Sequence, residues 1–252
     1  TRLVEREEQM RRQERLATVG SLAAGIAHEI RNPLASLSGS IQMLQDELDL
    51  KGDHKNLMGI VLRETDRLNT IITEFLDYAR PRSSQRERMA LAAVVNETIV
   101  LFRHSRNFRA GIAIRCEVAP HLAITGDPQR LRQVFWNLLI NAAQAISDGG
   151  SIGISAVPGT GDRSDEVVIR VSDTGTGIAN EHLGKIFDPF FTTKTDGTGL
   201  GLAIVYRIIE DLGGSIDVKS ESGKGTIFTI RLPFEEASIP TASHAGMPST
   251  GR

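Results

Sequence analysis

The groups best equipped for chemistry stand far apart in the chain. Ala27-His28-Glu29-Ile30-Arg31-Asn32-Pro33-Leu34 sets an imidazole beside a carboxylate, with an amide four residues on. On one helix these three side chains offer a nucleophile, a base and a group that can position water. Pro33 has no N–H, so the carbonyl of Glu29 loses its helical partner, and the helix is expected to bend just past His28. A single helical histidine is more often structural than catalytic, so this segment takes its meaning from the rest of the chain.

The second half holds what a bound nucleotide needs. Asp173-Thr174-Gly175-Thr176-Gly177-Ile178 follows a predicted strand, and its two glycines let backbone turn and approach a ligand. An ionised Asp173 only accepts hydrogen bonds, so it favours the exocyclic amine of adenine over the carbonyl oxygen of guanine. Gly197-Thr198-Gly199-Leu200-Gly201-Leu202-Ala203 opens a predicted helix, where backbone N–H groups make a phosphate site without a list of basic side chains. The spacing is neither Walker A, which needs Lys-Ser/Thr after the last glycine, nor the G-x-G-x-x-G dinucleotide fingerprint. Ile186-Phe187-Asp188-Pro189-Phe190-Phe191-Thr192-Thr193-Lys194 reads as a lid anchored by its aromatics. On the predicted helix from Gln133 to Ala145, Asn137 and Asn141 lie one turn apart. Neutral amide oxygens suit a hard ion such as Mg²⁺ that already carries triphosphate oxygens and waters.

Two kinds of scaffold must position these groups. The chain of 252 residues has room for one or two domains, and a net charge of -2 gives no basic excess for nucleic acid. Its single cysteine, Cys116, cannot make an internal disulfide or a multi-cysteine zinc site, which fits a reducing compartment. Glycine is absent between Gly59 and Gly111 and crowds the stretch after Gly175, so the two halves differ. Residues 1–15 read as a charged helix face, with Glu7 and Glu8 each four before an Arg. Leu16, Val19, Ala23, Ile26 and Ile30 then form an apolar seam of coiled-coil spacing that carries on to about Leu48. After a turn at 49–54, a second seam runs through Leu57, Val61, Leu68, Ile72, Phe75 and Ala79 until Pro81 stops it. One apolar stripe on each helix of a hairpin leaves that stripe uncovered, and two hairpins side by side make a four-helix bundle, so a homodimer is expected.

Beyond the proline the periodicity changes. Helices are predicted at Leu91–Arg106, Pro128–Ile146 and 200–212, with strands at Ile112–Val118, Ser151–Val157, Glu166–Ser172, Ser215–Val218 and Thr226–Leu232, which makes an α+β sandwich. The expected organisation is therefore an N-terminal coiled-coil linker helix over 1–20, a helical hairpin over 21–81, a linker over 82–86, a ligand-binding domain over 87–234 and a disordered tail over 235–252. No stretch approaches the roughly 20 apolar residues that cross a bilayer.

In their order along the chain, the His28 segment, the Asn137/Asn141 helix, the Asp173 loop, the Phe187 segment and the Gly197–Gly201 turn resemble the H, N, G1, F and G2 boxes of sensor histidine kinases of two-component systems. Gly223-Lys224-Gly225-Thr226 is similar to the last glycine box, and the resemblance spans about 16 to 233. It implies a dimeric four-helix bundle followed by a two-layer ATP-binding sandwich of the Bergerat, or GHKL, type. His28 would accept the γ-phosphoryl group of ATP, Glu29 would take the imidazole proton, and Asn32 would orient water in the reverse, phosphatase direction. Asn141 would bind Mg²⁺ with Asn137 in support, and Asp173 would read adenine, with Gly175 and Gly177 allowing its approach. Gly199 and Gly201 would hold phosphates, and Thr198, Leu200, Thr226 and the lid residue Lys194 would belong to the same cofactor site. Gln144 stands where many relatives place a phosphate-contacting Lys or Arg, so neutralisation would fall to Mg²⁺, Lys194 or Arg130.

The implied partners are a second copy of the chain, the receiver domain of a response regulator and an upstream sensor domain, with no nucleic acid and no direct membrane contact. His-Glu-Ile-Arg-Asn-Pro-Leu and Phe-Phe-Thr-Thr-Lys are similar to the nitrogen-regulation and pilus-regulation sensors, which pair with sigma-54-dependent activators. The implied location is cytoplasmic, with any inner-membrane anchor upstream. The competing readings are a GHKL-type ATPase, which would carry a general-base Glu at position 137, and a dimeric nucleotide-binding adaptor without histidine phosphorylation.

Overall fold

A computed structural model describes residues 29–45, 47, 52–79, 86–161, 164–194 and 197–234. His28, the 1–20 linker helix, residues 82–85 of the linker and the 235–252 tail lie outside the described residues.

Two helices come first: α1 over 29–45, which runs on through Pro33, and α2 over Asp53–Ala79. Gly52, with φ +61°, leads into α2 in the left-handed conformation that glycine adopts without a Cβ clash. Arg31 Nη2 donates to Thr73 Oγ1 at 2.9 Å, and the two residues are equidistant from Gly52 in sequence, as an antiparallel hairpin requires. Little is buried between the helices. Ile30, Leu37, Met43 and Leu44 of α1 and Leu57, Ile60, Val61 and Leu68 of α2 remain exposed, and Thr65 is the one buried residue among the described residues of the hairpin.

The second half alternates short strands with helices: β1 Glu87–Ala90, α3 Leu91–Arg103, β2 Ile112–Val118, β3 Ala123–Gly126, α4 Pro128–Ala145, β4 Gly150–Pro158, β5 Glu166–Asp173, α5 Asn180–Leu183, α6 Gly201–Asp211, β6 Ser215–Glu221 and β7 Gly225–Pro233. The main sheet has the order β2-β4-β5-β7-β6, with β2 and β4 parallel and every other pair antiparallel. Ile152 and Ile154 of β4, Val167, Ile169 and Val171 of β5, and Phe228, Ile230 and Leu232 of β7 alternate along their strands and are buried. They meet the apolar faces of α3, α4 and α6 in one continuous core, the two-layer α+β sandwich expected.

Boundaries move where a local device intervenes. α3 ends three residues earlier than predicted, because the His104 N–H turns back to the carbonyls of Leu101 and Phe102. The pair β1–β3, with Met89 opposite Ile124, is absent from the sequence reading, since four-residue strands are too short to display a period.

Candidate active site

A cavity of about 630 Å³ opens between α4, the ends of β5 and β7, the 186–201 segment and α2. That volume suits a small molecule.

Helix α4 forms one wall. Asp127 caps its N-terminus by accepting from the Gln129 and Arg130 amides, and Pro128 supplies a preset first turn. Leu131, Val134, Phe135, Leu138, Leu139, Ala142 and Ala143 face the core. The remaining face sets Asn137, Asn141 and Gln144 in a row toward the cavity. Asn137 Nδ2 donates to the Gly201 carbonyl at 3.1 Å, tying α4 to the start of α6. Asn141 and Gln144 are bridged by Lys194, whose Nζ donates to Asn141 Oδ1 at 3.2 Å and to Gln144 Oε1 at 2.6 Å.

Asp173 ends β5 opposite Thr226 of β7 and lines the cavity. Burial pushes its carboxyl above the ordinary value, while the Gly175 and Thr226 amides and the Lys194 ammonium pull it back. The glycines around it serve the protein's own backbone. Gly177 has φ +69°, and a Cβ there would lie 2.1 Å from the Glu221 carbonyl oxygen. Gly199 has φ +70°, with a Cβ 2.4 Å from the Phe190 carbonyl carbon. Gly201 differs, since a Cβ there would meet only the Asn137 side chain at 3.9 Å. At this start of α6 no side chain caps the helix, and its first two residues, Gly201 and Leu202, line the cavity.

The 186–194 segment is pinned by Phe187 against Tyr206 and by Phe191 against His182, with ring centroids 5.3 and 5.6 Å apart. The third aromatic points elsewhere. Phe190 takes φ +66° and stacks on Phe75 of α2 at 6.4 Å.

Helix α2 is the contribution that sequence reasoning missed. Thr70 and Glu74 line the cavity, and the Glu74 carboxylate accepts a hydrogen bond from the Thr198 hydroxyl of the glycine-rich turn. Burial raises the Glu74 carboxyl above its ordinary value, Thr198 opposes that shift, and Asp77 adds to it. Gln133 Nε2 donates to Asp77 Oδ2 at 3.3 Å, and Arg207 donates to the Tyr78 carbonyl while its guanidinium lies over the Tyr78 ring. No periodicity signals this contact, because Thr70 and Glu74 are one ordinary polar turn of an amphipathic helix.

The structure thus brings Asn137, Asn141, Asp173, Gly177, Lys194, Thr198, Gly199, Gly201 and Thr226 to one cavity. Leu200 points away: its side chain is fully buried and its N–H is donated to Thr198 Oγ1 at 3.3 Å. Gly175 packs against Ala145 backbone, where a Cβ would lie 2.7 Å away. Arg130 sits at the far end of α4, ion-paired with Asp211 at 2.5 Å beside a separate cavity of about 290 Å³. It is therefore not placed to neutralise a ligand in the larger cavity. Glu29 and Asn32 are on the first described turn of α1, which the Arg31–Thr73 bond holds beside the part of α2 that reaches the sandwich.

Among the described residues no group of three or more His, Cys, Asp or Glu could hold a metal ion. Asn141 Oδ1 already faces a cation, the Lys194 ammonium, and is a hard neutral donor. The site therefore fits a divalent ion that takes one ligand here and the rest from phosphate and water.

Comparison with known proteins gives the same picture. Residues 18–84 match the His Kinase A (phospho-acceptor) domain, and residues 126–236 match the histidine kinase-, DNA gyrase B- and HSP90-like ATPases. The chain is 40% identical over 228 residues to the sensor histidine kinase ZraS of Escherichia coli (strain K12), covering 90% of this chain and 48% of that protein. It spans about half the length of the curated relatives it matches. Full-length ShkA in complex with AMPPNP is similar with a TM-score of 0.68 at 28% identity, over 86% of this chain and 46% of that one. The histidine kinase ThkA in complex with the response regulator protein TrrA is similar with a TM-score of 0.64 at 34% identity, over 93% and 67%.

Proposed function

The chain belongs to the sensor histidine kinases, and from that premise we propose that it is an ATP-dependent autokinase that phosphorylates its own His28. The phosphoryl group then passes to an aspartate on the receiver domain of a response regulator. The observation that carries this reading is the shared wall of the cavity: Asn141, Lys194 and Thr198 of the sandwich converge there with Thr70 and Glu74 of the hairpin. A donor held by one half would be presented to an acceptor on the other.

The roles follow from the side chains. Asp173, at the floor of the cavity, accepts from the adenine amine, and the uncapped amides at the start of α6 point at the triphosphate. Thr226 supports Asp173 through its amide, and Asn137 holds the Gly201 turn in place. Asn141 would hold Mg²⁺, which when bound neutralises charge on the β- and γ-phosphates. Lys194 adds the protein's own charge. The neutral imidazole of His28 attacks the γ-phosphorus in line: a N–P bond forms, the P–O bond to ADP breaks, and Glu29 receives the imidazole proton. In the phosphatase reaction Asn32 would orient a water that attacks the phosphorus of the regulator's aspartyl phosphate: a new P–O bond forms, the P–O bond to the carboxylate breaks, and inorganic phosphate leaves. Little covalent help is needed, since such transfers depend on placement and charge neutralisation.

The uncovered stripe of the hairpin supports a homodimer whose two hairpins form a four-helix bundle. The ThkA–TrrA complex supports a response regulator as partner, and the His28 and Phe190 segments favour one from the sigma-54-dependent activators. No described helix is long and apolar enough to cross a membrane. A sensor domain, and any membrane anchor, would belong to the further length the curated relatives have.

Incubation with γ-labelled ATP and Mg²⁺ tests the proposal. Label should enter the protein as a phosphoramidate, stable in alkali and lost in acid, and should chase onto a receiver domain. ATP hydrolysis with no phosphoprotein at any time would point instead to a GHKL-type ATPase.

A further inference from the structure

The large cavity is poor in positive charge. Among the described residues that line it, Lys194 is the one Lys or Arg, and it shares the space with the carboxylates of Glu74 and Asp173. A triphosphate brings several negative charges into this half-buried space, so the position of that ammonium decides how much charge the protein can offset.

Its position is held from α4. The shorter of its two contacts, 2.6 Å to Gln144 Oε1, pairs a charged donor with a neutral amide acceptor and is the tighter hold on the ammonium. A lysine stem has many rotamers, and an acceptor that holds the head removes that freedom before the ligand arrives. An amide oxygen does this without cancelling the charge, which Asp or Glu at the same position would do. The second contact, to Asn141 Oδ1 at 3.2 Å, uses the oxygen that a divalent ion would take. With that oxygen given up to the ion, Gln144 remains as the anchor.

We propose that Gln144 is a positioning residue: its side-chain oxygen holds the Lys194 ammonium at the triphosphate end of the cavity, so that the lid, through α4, delivers the protein's positive charge to the phosphates. The claim rests on the ATP reading above. It concerns binding before any chemistry, so it can be read without kinase activity.

The measurement is displacement of a fluorescent adenine nucleotide by ATP, ADP and AMP from the whole chain, with Mg²⁺ and with chelator. Gln144→Leu should lower the ratio of ATP to AMP affinity about ten-fold or more, the scale of one lost hydrogen bond to a charged group. Lys194→Gln should lower it at least as far, and Gln144→Leu should add nothing in the Lys194→Gln background. Equal losses for ATP and AMP in Gln144→Leu, or its full effect persisting without Lys194, overturns the assignment. An unchanged ratio in Gln144→Leu overturns it too and leaves the ATP reading standing. If no adenine nucleotide binds the unaltered chain, the ATP reading itself has failed.

Discussion

Helices α2 and α4 are both long and amphipathic, yet they end in opposite situations. Over 18 residues α4 buries Leu131, Val134, Phe135, Leu138 and Leu139 against its own sheet and turns its amide row to the cavity. Over 27 residues α2 leaves Leu57, Ile60, Val61 and Leu68 uncovered and meets the sandwich through its last turns, from Thr70 to Tyr78. One helix is completed by its own domain, and the other awaits a cover from outside it. On the proposed function, α4 would position the ligand rigidly and the uncovered face of α2 would serve a partner.

The largest effect should separate the two. Phe135→Ala removes a fully buried ring from α4 and is expected to cost about 3–5 kcal/mol, read by chemical denaturation and independent of protein concentration. Leu68→Ala should change single-chain stability by only about 0.5 kcal/mol yet weaken self-association, seen as a shift in the concentration dependence of sedimentation. A Leu68→Ala chain that associates as the parent does would break the comparison.

Next come the glycines. Gly177→Ala forces a Cβ onto the Glu221 carbonyl at positive φ, with an expected loss of about 1–3 kcal/mol in unfolding. Gly201→Ala has room and a helical backbone, so stability should hold or rise by about 1 kcal/mol, and any loss of ATP affinity then reports the ligand's approach to α6.

Asp173→Asn sharpens the point through pH. Burial raises the Asp173 carboxyl above its ordinary 3.8, so the folded state holds that proton more tightly than the unfolded one. The contribution is fully present below 3.8 and is lost as pH climbs through the raised value. Thermal melts of the Asn variant should therefore gain on the parent from pH 4 upward, with adenine nucleotide affinity falling. A difference that does not vary with pH would remove burial as the cause. The smallest change is at Glu74→Gln, which takes a carboxylate from beside the phosphate turn. ATP affinity should rise about two- to five-fold.

Much of this was legible in sequence because short-range rules govern it. Asp127-Pro128 announces the start of α4, and the alternation through Ile152–Ala156 and Val167–Val171 announces β4 and β5. Gly177 and Gly199 stood out because their positive φ and close backbone contacts admit no side chain, and Asn137, Asn141 and Asp173 because their polar groups interrupt apolar periods. What stayed hidden depends on contacts between distant segments. β1 and β3 exist only as a pair, Glu74 reaches Thr198 across 124 residues, and Arg130 turns to Asp211 rather than to the cavity. Leu200 sits inside a glycine-rich turn yet belongs to the core, since a turn entering a helix must bury one side.

The central claim is that the sandwich supplies a phosphoryl group which the hairpin accepts. It is tested most directly by His28→Ala in a chain first shown to bind ATP with the parent's affinity. This variant should take up no acid-labile label from γ-labelled ATP while its nucleotide binding is unchanged. Undiminished labelling of the variant would contradict the claim.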